Sequence, residues 1–396
     1  MSPRATIVHL ITQLELGGAQ ENTLYTAAHL DRARYRVGLW SGGGGMLDDE
    51  AAKVPALDRR IIREMKREIS PRSDPAALAK LVRMLRDDQK EHARLGGDPR
   101  AYVLHTHSSK AGILGRMAGR LARVPVIVHS IHGFGFYEGQ DWKAHALFLN
   151  AERAASAMTD AFISVSRANL AEARARGLVA AHQRAVVIRS GFDLAAFRAE
   201  AAEGPATRAA LGYGPDDEIF VAVANLKPQK DPQTLVRAMA IVAKERPRAV
   251  LLYAGDGELR PEIEAAIARE GLGERFRLLG WRRDIPAVLA AGDVVVLSSL
   301  FEGLPRSAVQ ALVVRRPFVG TRVDGTSEVI HAGKNGWLVE PRDPEALARA
   351  MIRAMIERPV DPDDLARLEA WDARRMVAEQ AELYDALIAV PSAPVP

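Results

Sequence analysis

An apolar run at residues 293–297 (DVVVL) ends shortly before a lone acid, Glu302, turns through Gly303 and Pro305, and restarts as an apolar helical stretch over residues 307–314. A continuous apolar run without alternation is the pattern of a strand covered on both faces, as in a parallel sheet. Parallel neighbours need crossover connections, so this one segment points to an α/β fold. It also places Glu302 at the carboxyl end of a strand, where open α/β sheets take their ligands. The amides that open the following helix favour an anionic or hydroxyl-rich ligand. Gln310, about one turn past the helix start, is placed to look back toward Glu302. The plain alternative is that Glu302 only caps the helix.

Other strand-to-helix loops repeat the design. Residues 223–232 (VANLKPQKDP) follow a strand and set Asn225, Lys227 and Lys230 in a proline-containing loop before a helix near Thr234. Ammonium groups there suit a diphosphate, although solvated loop lysines are common. Residues 10–23 (LITQLELGGAQENT) pass from a strand at 6–10 through Gly17 and Gly18 into a helix. Paired glycines permit close backbone approach or simply a tight turn. Neither this pair nor the run Gly42 to Gly45 forms the dinucleotide fingerprint. Residues 129–138 (HSIHGFGFYE) follow an apolar strand at 124–128 and carry His132, then Gly133 and an aromatic loop. A histidine at that strand end acts on a ligand or is bonded within its own loop. Upstream, residues 105–116 (HTHSSKAGILGR) set His105, His107, Ser108, Ser109 and Lys110 before a helix. The two histidines raise a metal site, but no carboxylate or third histidine lies near them in the chain at ligand spacing, so none is expected. Further units are residues 253–264, 278–299 and 319–347, with Glu328 as a helix-start residue, and the Asp361 to Asp364 cluster reads as a polar helix-start loop.

Strand–helix alternation runs from Thr6 to Val187, pauses in a linker rich in Ala, Glu and Gly through Gly214, and restarts at Glu218. A chain of 396 residues with 48% hydrophobic content supports two ordinary cores. The expected division is residues 1–200, residues 201–372, and a last helix at 373–389 with Met376, Leu383, Tyr384 and Leu387 on one face, interrupted by Gln380. Residues 390–396 are expected to be disordered. The absence of cysteine excludes disulfides, thiolate metal sites and a cysteine nucleophile. No apolar stretch approaches a membrane span and no signal-peptide core opens the chain, so a cytoplasmic location is expected. Residues 1–200 carry 29 Lys and Arg against 21 Asp and Glu, and the remainder reverses that balance. Part of the excess is residues 59–69 (RRIIREMKREI), a basic amphipathic stretch that suits either an anionic membrane surface, at its inner face, or an ordinary solvated helix face. No nucleic-acid recognition motif accompanies the charge.

The acid at 302, the glycine after it and a second polar group eight positions on resemble the E-x7-E signature of family 4 retaining glycosyltransferases of the GT-B fold. The ordered loops above fit that template along nearly the whole chain, in the manner of bacterial polysaccharide-type members. The resemblance implies two Rossmann-like domains facing each other across a cleft, with the last helix crossing back to the first. It implies that Glu302 holds donor-sugar hydroxyls with the backbone of Gly303, Leu304, Pro305 and Arg306, and that Gln310 holds the ribose. Lys230, with Lys227, would bind the diphosphate; Gly280, Trp281 and Arg282 would lie against the base; Gly17 and Gly18 would face the donor. His132 would contact the sugar near the reaction centre, and His107, Ser108, Ser109 and Lys110 would line the acceptor side. Two positions depart from the family pattern. Gln310 replaces a glutamate, losing the charge that strengthens a carboxylate hydrogen bond, and Asn225 stands where an arginine is usual.

The implied activity is transfer of a sugar from a nucleoside diphosphate sugar, UDP-linked first and GDP-linked second, to a hydroxyl of a glycan or lipid-linked saccharide, without metal or cofactor. Two rivals belong to other classes. A sugar-nucleotide epimerase shares the architecture but needs acid and base carboxylates about the sugar. A non-catalytic sugar-nucleotide-binding homologue is favoured by Asn225 and Gln310.

Overall fold

The computed structural model describes residues 5–66, 68–134 and 141–389. Most of the aromatic loop after His132 and the segment 390–396 therefore lie outside the described residues. The chain divides into two compact units, residues 1–191 with 373–396, and residues 192–372.

The first unit holds seven parallel strands: β1 (Ala5–Gln13), β2 (Tyr35–Gly42), β3 (Leu57–Ile61), β4 (Tyr102–His107), β5 (Val126–Ile131), β6 (Ala161–Ser164) and β7 (Arg184–Val187). Their order is β3-β2-β1-β4-β5-β6-β7. Successive residues of a strand face opposite ways, so β1 divides between two cores. Ile7 and Ile11 join Val37, Leu39, Val103 and Val128 on one face. Val8 and Leu10 join Trp40, Leu81, Leu85 and Leu104 on the other. The helix Ser109–Leu121 comes close over the sheet because Gly115 has no side chain; a Cβ there would stand 2.5 Å from Leu10. The last helix, Ala373–Ala389, belongs to this unit and contributes Met376, Val377, Leu383 and Tyr384 to its core.

The second unit holds six: β8 (Glu218–Val223), β9 (Ala249–Ala254), β10 (Phe276–Gly280), β11 (Val294–Leu297), β12 (Phe318–Thr321) and β13 (Gly336–Val339), ordered β10-β9-β8-β11-β12-β13. All ladders between these strands are parallel. Phe220, Val221, Leu251, Leu252, Val294 to Val296 and Phe318 are fully buried, as the unbroken apolar runs require. Both sheets thus have Rossmann-like strand order, with a reversal beside the first strand of each. Among the described residues no helix is long and apolar enough to cross a membrane.

Three expectations need correction. The unit boundary falls at Gly191 and Phe192, and the expected linker forms two helices, Leu194–Ala201 and Gly204–Ala210, that pack within the second unit. Gly204 lies against Ala290, and Arg208 bonds the Ala291 carbonyl and Asp293. Among the described residues of 59–69 none is helical: Arg59, Arg60 and Ile61 close β3, and Ile62 to Lys66 leave it as a loop. Ile62 and Met65 are buried, Arg59 pairs with Asp48, and Arg60 pairs with Asp58 and Asp88, so much of the apparent basic face is neutralised within the unit. Glu328 ends a short 3-10 segment, Asp324–Glu328, where a helix start was expected.

The first unit also buries polar groups that the local sequence conceals. Asp88, in the helix Ser73–Arg94, is inside and receives Arg36, Arg60 and the Tyr102 hydroxyl at 2.7 Å. Removing Asp88 strips the buried Tyr102 hydroxyl of its acceptor and leaves Arg36 and Arg60 only Asp58 as a carboxylate partner. Asp88→Ala should therefore lower unfolding free energy by about 3 kcal/mol, read from urea midpoints, and an unchanged midpoint would show that the cluster contributes nothing net. The interior further holds His9, His105, His107 and His129. Burial lowers the pKa of His9 to about 3, and those of the other three fall well below the usual value. The unfolded chain takes these protons near pH 6.5 while the folded chain refuses them. Stability is therefore full above about pH 6.5 and is lost as pH falls, by about 2 kcal/mol at pH 5 for His9, and the other three add losses of the same sign. Urea midpoints at pH 7.5 and pH 5 should separate accordingly, and coincident midpoints would mean that the histidines are not held neutral.

Candidate functional site

The second unit gathers polar groups where β8 and β11 end side by side, the position at which loops of an open parallel sheet diverge. After β8 comes the turn Pro228–Lys230 and then the helix Pro232–Glu245, which Asp231 caps in a left-handed conformation, accepting from the Thr234 amide and hydroxyl. After β11 comes the loop that carries Glu302. The two loops are stitched together. Leu300 N donates to the Gln229 carbonyl at 2.8 Å, Gln229 donates to the Phe301 carbonyl at 2.9 Å, and the Ser298 hydroxyl lies 2.8 Å from the carbonyls of Lys230 and Asp231.

This stitching puts the Lys230 ammonium against Glu302 Oε1 in an ion pair with both side chains largely shielded. The Ser299 hydroxyl donates to the same carboxylate oxygen at 2.6 Å, and the Glu302 amide donates to Asp324. Burial and the Glu302 charge push the Tyr253 phenol up in pKa, which keeps it neutral. The neighbouring loop fits only because of two glycines: a Cβ on Gly255, at φ 144°, would stand 1.9 Å from the Ala224 carbonyl oxygen, and one on Gly257 would meet Leu226 O at 2.5 Å. Ser299, Asp324, Gly255 and Gly257 were not singled out from the sequence. The glycines carried a readable signal, since both lie in the tight turn after β9; Asp324 reaches Glu302 from the loop after β12 and gave none.

The remaining expected donor residues are placed less directly. Gln310 is half-buried in the helix Arg306–Val313, and among the described residues no hydrogen bond joins it to Glu302. Glu302 does not cap that helix; Pro305 occupies the N-cap and makes no side-chain cap bond. Arg306 stacks over Phe192, 4.3 Å from the ring centroid. Asn225 and Lys227 lie half-buried in the loop after β8, and the Asn225 carbonyl receives Tyr253 at 3.4 Å. The Gly280 carbonyl accepts from Gly255 at 2.8 Å, Trp281 is largely exposed, and Arg282 is tied to Asp284 at 2.8 Å.

In the first unit the corresponding reversal lies between β1 and β4. Gly17 is the extended N-cap of the helix Gly18–His29, which has no side-chain cap. Ser108 holds φ 61°, a left-handed value that is costly for a residue with a side chain. Its hydroxyl bonds Thr12 Oγ1 at 2.8 Å, and Thr12 in turn accepts from Ala111 N at 3.1 Å, serving the start of the helix Ser109–Leu121. Ser109 opens that helix, half-buried. Lys110 is committed to Asp74 at 2.6 Å. His132, at the end of β5, meets His107: Nδ1 of His107 lies 3.1 Å from Nε2 of His132.

The ground on which a metal was set aside is corrected here. The sequence shows no third histidine near His105 and His107, but β1 pairs with β4 and places His9 opposite His105. Ligand nitrogens of His9, His105 and His107 fall within 4.8 Å of one another. Of their six ring nitrogens all but Nε2 of His9 have hydrogen-bond partners. His105 bonds Ser130 at 2.8 Å and Tyr384 at 2.6 Å, and His107 bonds His9 and His132, each at 3.1 Å.

Residues 16–196 match the family described as Glycosyltransferase Family 4, and residues 217–357 match Glycosyl transferases group 1. A similar protein is the UDP-Gal:alpha-D-GlcNAc-diphosphoundecaprenol alpha-1,3-galactosyltransferase of Escherichia coli, 30% identical over 358 residues, which are 88% of this chain and 87% of that one. The putative glycosyltransferase EpsF of Bacillus subtilis is 25% identical over 97% of both chains. Among solved structures, HepE of Anabaena with UDP and glucose superposes with a TM-score of 0.78 at 21% identity, covering 96% of this chain and 100% of that one. Sucrose-phosphate synthase of Thermosynechococcus elongatus gives 0.79 at 22%, covering 97% and 99%. These structures share the GT-B fold with this chain. The two family matches and the relative that aligns along nearly its whole length lead to one assignment: the chain belongs to the group 1, family 4 glycosyltransferases.

Proposed function

We propose that this glycosyltransferase moves a sugar from a nucleoside diphosphate sugar to a hydroxyl acceptor with retention of anomeric configuration, without a metal or other cofactor. The observation that carries the reading is the Lys230–Glu302 pair, a cation and an anion held together with Ser299 at the ends of β8 and β11. A sugar diphosphate offers both what they need: phosphate oxygens for the ammonium and hydroxyl donors for the carboxylate. In this reading the ligand separates the pair and takes each partner in its place.

Lys230, with Lys227, neutralises the diphosphate as it leaves, and this electrostatic support supplies much of the rate. Glu302 and the amides of Gly303, Leu304 and Arg306 orient sugar hydroxyls, Gln310 and Asn225 serve the nucleotide, and Gly280, Trp281 and Arg282 meet the base. His132 is the first unit's contribution near the reaction centre. The bond from the anomeric carbon to the diphosphate oxygen breaks with its electron pair going to the diphosphate. The acceptor oxygen bonds the same carbon on the same face, and its proton passes to a leaving phosphate oxygen. The name of the Escherichia coli relative supports a UDP-sugar as donor and a lipid-linked saccharide as acceptor. That acceptor class is consistent with work at the inner membrane face, although the ion pairs of Arg59 and Arg60 leave less free charge for docking than the sequence suggests.

Asn225 and Gln310 favour a second reading, a homologue that binds sugar nucleotides without turning them over. Slow hydrolysis of the donor in the absence of acceptor separates the two. Calorimetric titration with UDP, GDP and ADP should show one selective nucleotide, bound about 10- to 100-fold more weakly by Lys230→Ala through loss of a charge-assisted contact. No binding of any of the three would overturn the site. Glu302→Gln should keep nucleotide affinity while transfer falls about 100-fold, and the product of the wild-type enzyme should keep the donor's anomeric configuration by NMR; an inverted product would overturn the mechanism.

A further inference from the structure

The histidines of the first unit form a chain. His9 Nδ1 lies 3.1 Å from His107 Nε2, and His107 Nδ1 lies 3.1 Å from His132 Nε2. The ring centroids are 5.3 and 5.4 Å apart with interplanar angles of 25° and 28°. With nitrogens that close and centroids that far apart, the rings meet edge to edge, nitrogen to nitrogen, in two successive N–H···N bonds. They do not converge on a common point as ligands of one ion do.

His107 is the middle of this chain and is buried, with burial and the neighbouring histidines keeping it neutral. A neutral imidazole has one N–H and one lone pair, so His107 donates on one side and accepts on the other. Only two arrangements exist. In one, His9 donates from Nδ1, His107 donates from Nδ1, and His132 accepts at Nε2. In the other every bond is reversed, and Nε2 of His9 carries a proton. That atom is buried and has no hydrogen-bond partner among the described residues. An orphaned buried N–H is rarer and costlier than an under-used acceptor, so the first arrangement wins.

We propose that His107, oriented by His9, is a positioning residue that holds His132 in the tautomer bearing its proton on Nδ1. A proton on Nε2 of His132 would force both bonds to reverse and would leave the His9 N–H without an acceptor. The strand pairing of β1 with β4 and β4 with β5 supplies this alignment, and a second set of bonds braces it: His105 joins Ser130 of β5, and Tyr384 of the last helix, which also bonds Gln380 at 3.1 Å. His132 thereby keeps Nε2 as an acceptor toward His107 and carries its proton at Nδ1 in a fixed direction.

The assignment of His132 to the sugar rests on the proposed function, but the tautomer does not, and the test reads them separately. Two-bond proton–nitrogen correlation spectra of the full chain labelled with 15N-histidine, at pH 8, distinguish the tautomers, and His132→Gln assigns the resonance among the ten histidines. The wild-type spectrum should show His132 protonated at Nδ1. In His107→Leu, which is apolar and of similar bulk, the signal should shift toward the Nε2–H form, with transfer reduced about tenfold through misorientation of His132 and nucleotide affinity unchanged. An Nε2–H signal in the wild type, or the same signal in wild type and variant, would overturn the proposal. The wild-type spectrum decides the matter even if the variant does not fold. An unaltered rate beside the expected tautomer change would instead overturn the role of His132 in the reaction.

Discussion

Two sheets in which the first strand runs through the middle and every described neighbour is parallel impose the layout on everything else. Parallel pairing sends each connection over a face of its sheet, so within each sheet the carboxyl ends of the strands lie along one edge. In the first sheet β1 and β4 finish beside one another there, and in the second β8 and β11 do. Residues remote in sequence are thereby forced together: His9 with His107, and Lys230 with Glu302. Neither pairing owes anything to local chain preference. The first follows from the register of β1 against β4, the second from the hydrogen bonds between the loops that leave β8 and β11.

The pair in the second unit illustrates how two shielded charges are kept stable. A carboxylate and an ammonium that are both mostly out of solvent would each be costly alone. Bonded to each other, with Ser299 on the carboxylate and Asp324 on the adjoining amide, they satisfy one another.

Much of this was legible in the chain. The apolar runs at 293–297 and 124–128 announced buried parallel strands, and the polar residues after each run marked the strand ends. Lys230, Glu302 and His132 stood out for that reason. Asp88 and His9 did not, because each sits within an ordinary local pattern: Asp88 beside Arg86 and Asp87 on what reads as a solvated helix face, His9 inside an apolar strand. Their partners arrive from 52 and 98 residues away. The stretch 59–69 misled for the opposite reason. Its spacing of Ile62 and Met65 is helical, yet β2 captures Arg59 to Ile61 as an edge strand, and tertiary pairing overrides the local period. The alanine-rich segment after Gly191 read as a linker, but its small residues let it pack closely as helices against residues 285–291.

The helix Ala373–Ala389 fills the first unit's core with Met376, Leu383 and Tyr384 although it is the last described segment of the chain. On the ribosome, where amino-terminal segments emerge first and domains tend to fold as units, the second unit has all its strands and helices in hand before that helix emerges. The first unit waits with one flank of its core open until that helix has been made. Its companion, started some 190 residues later, is free to finish before it.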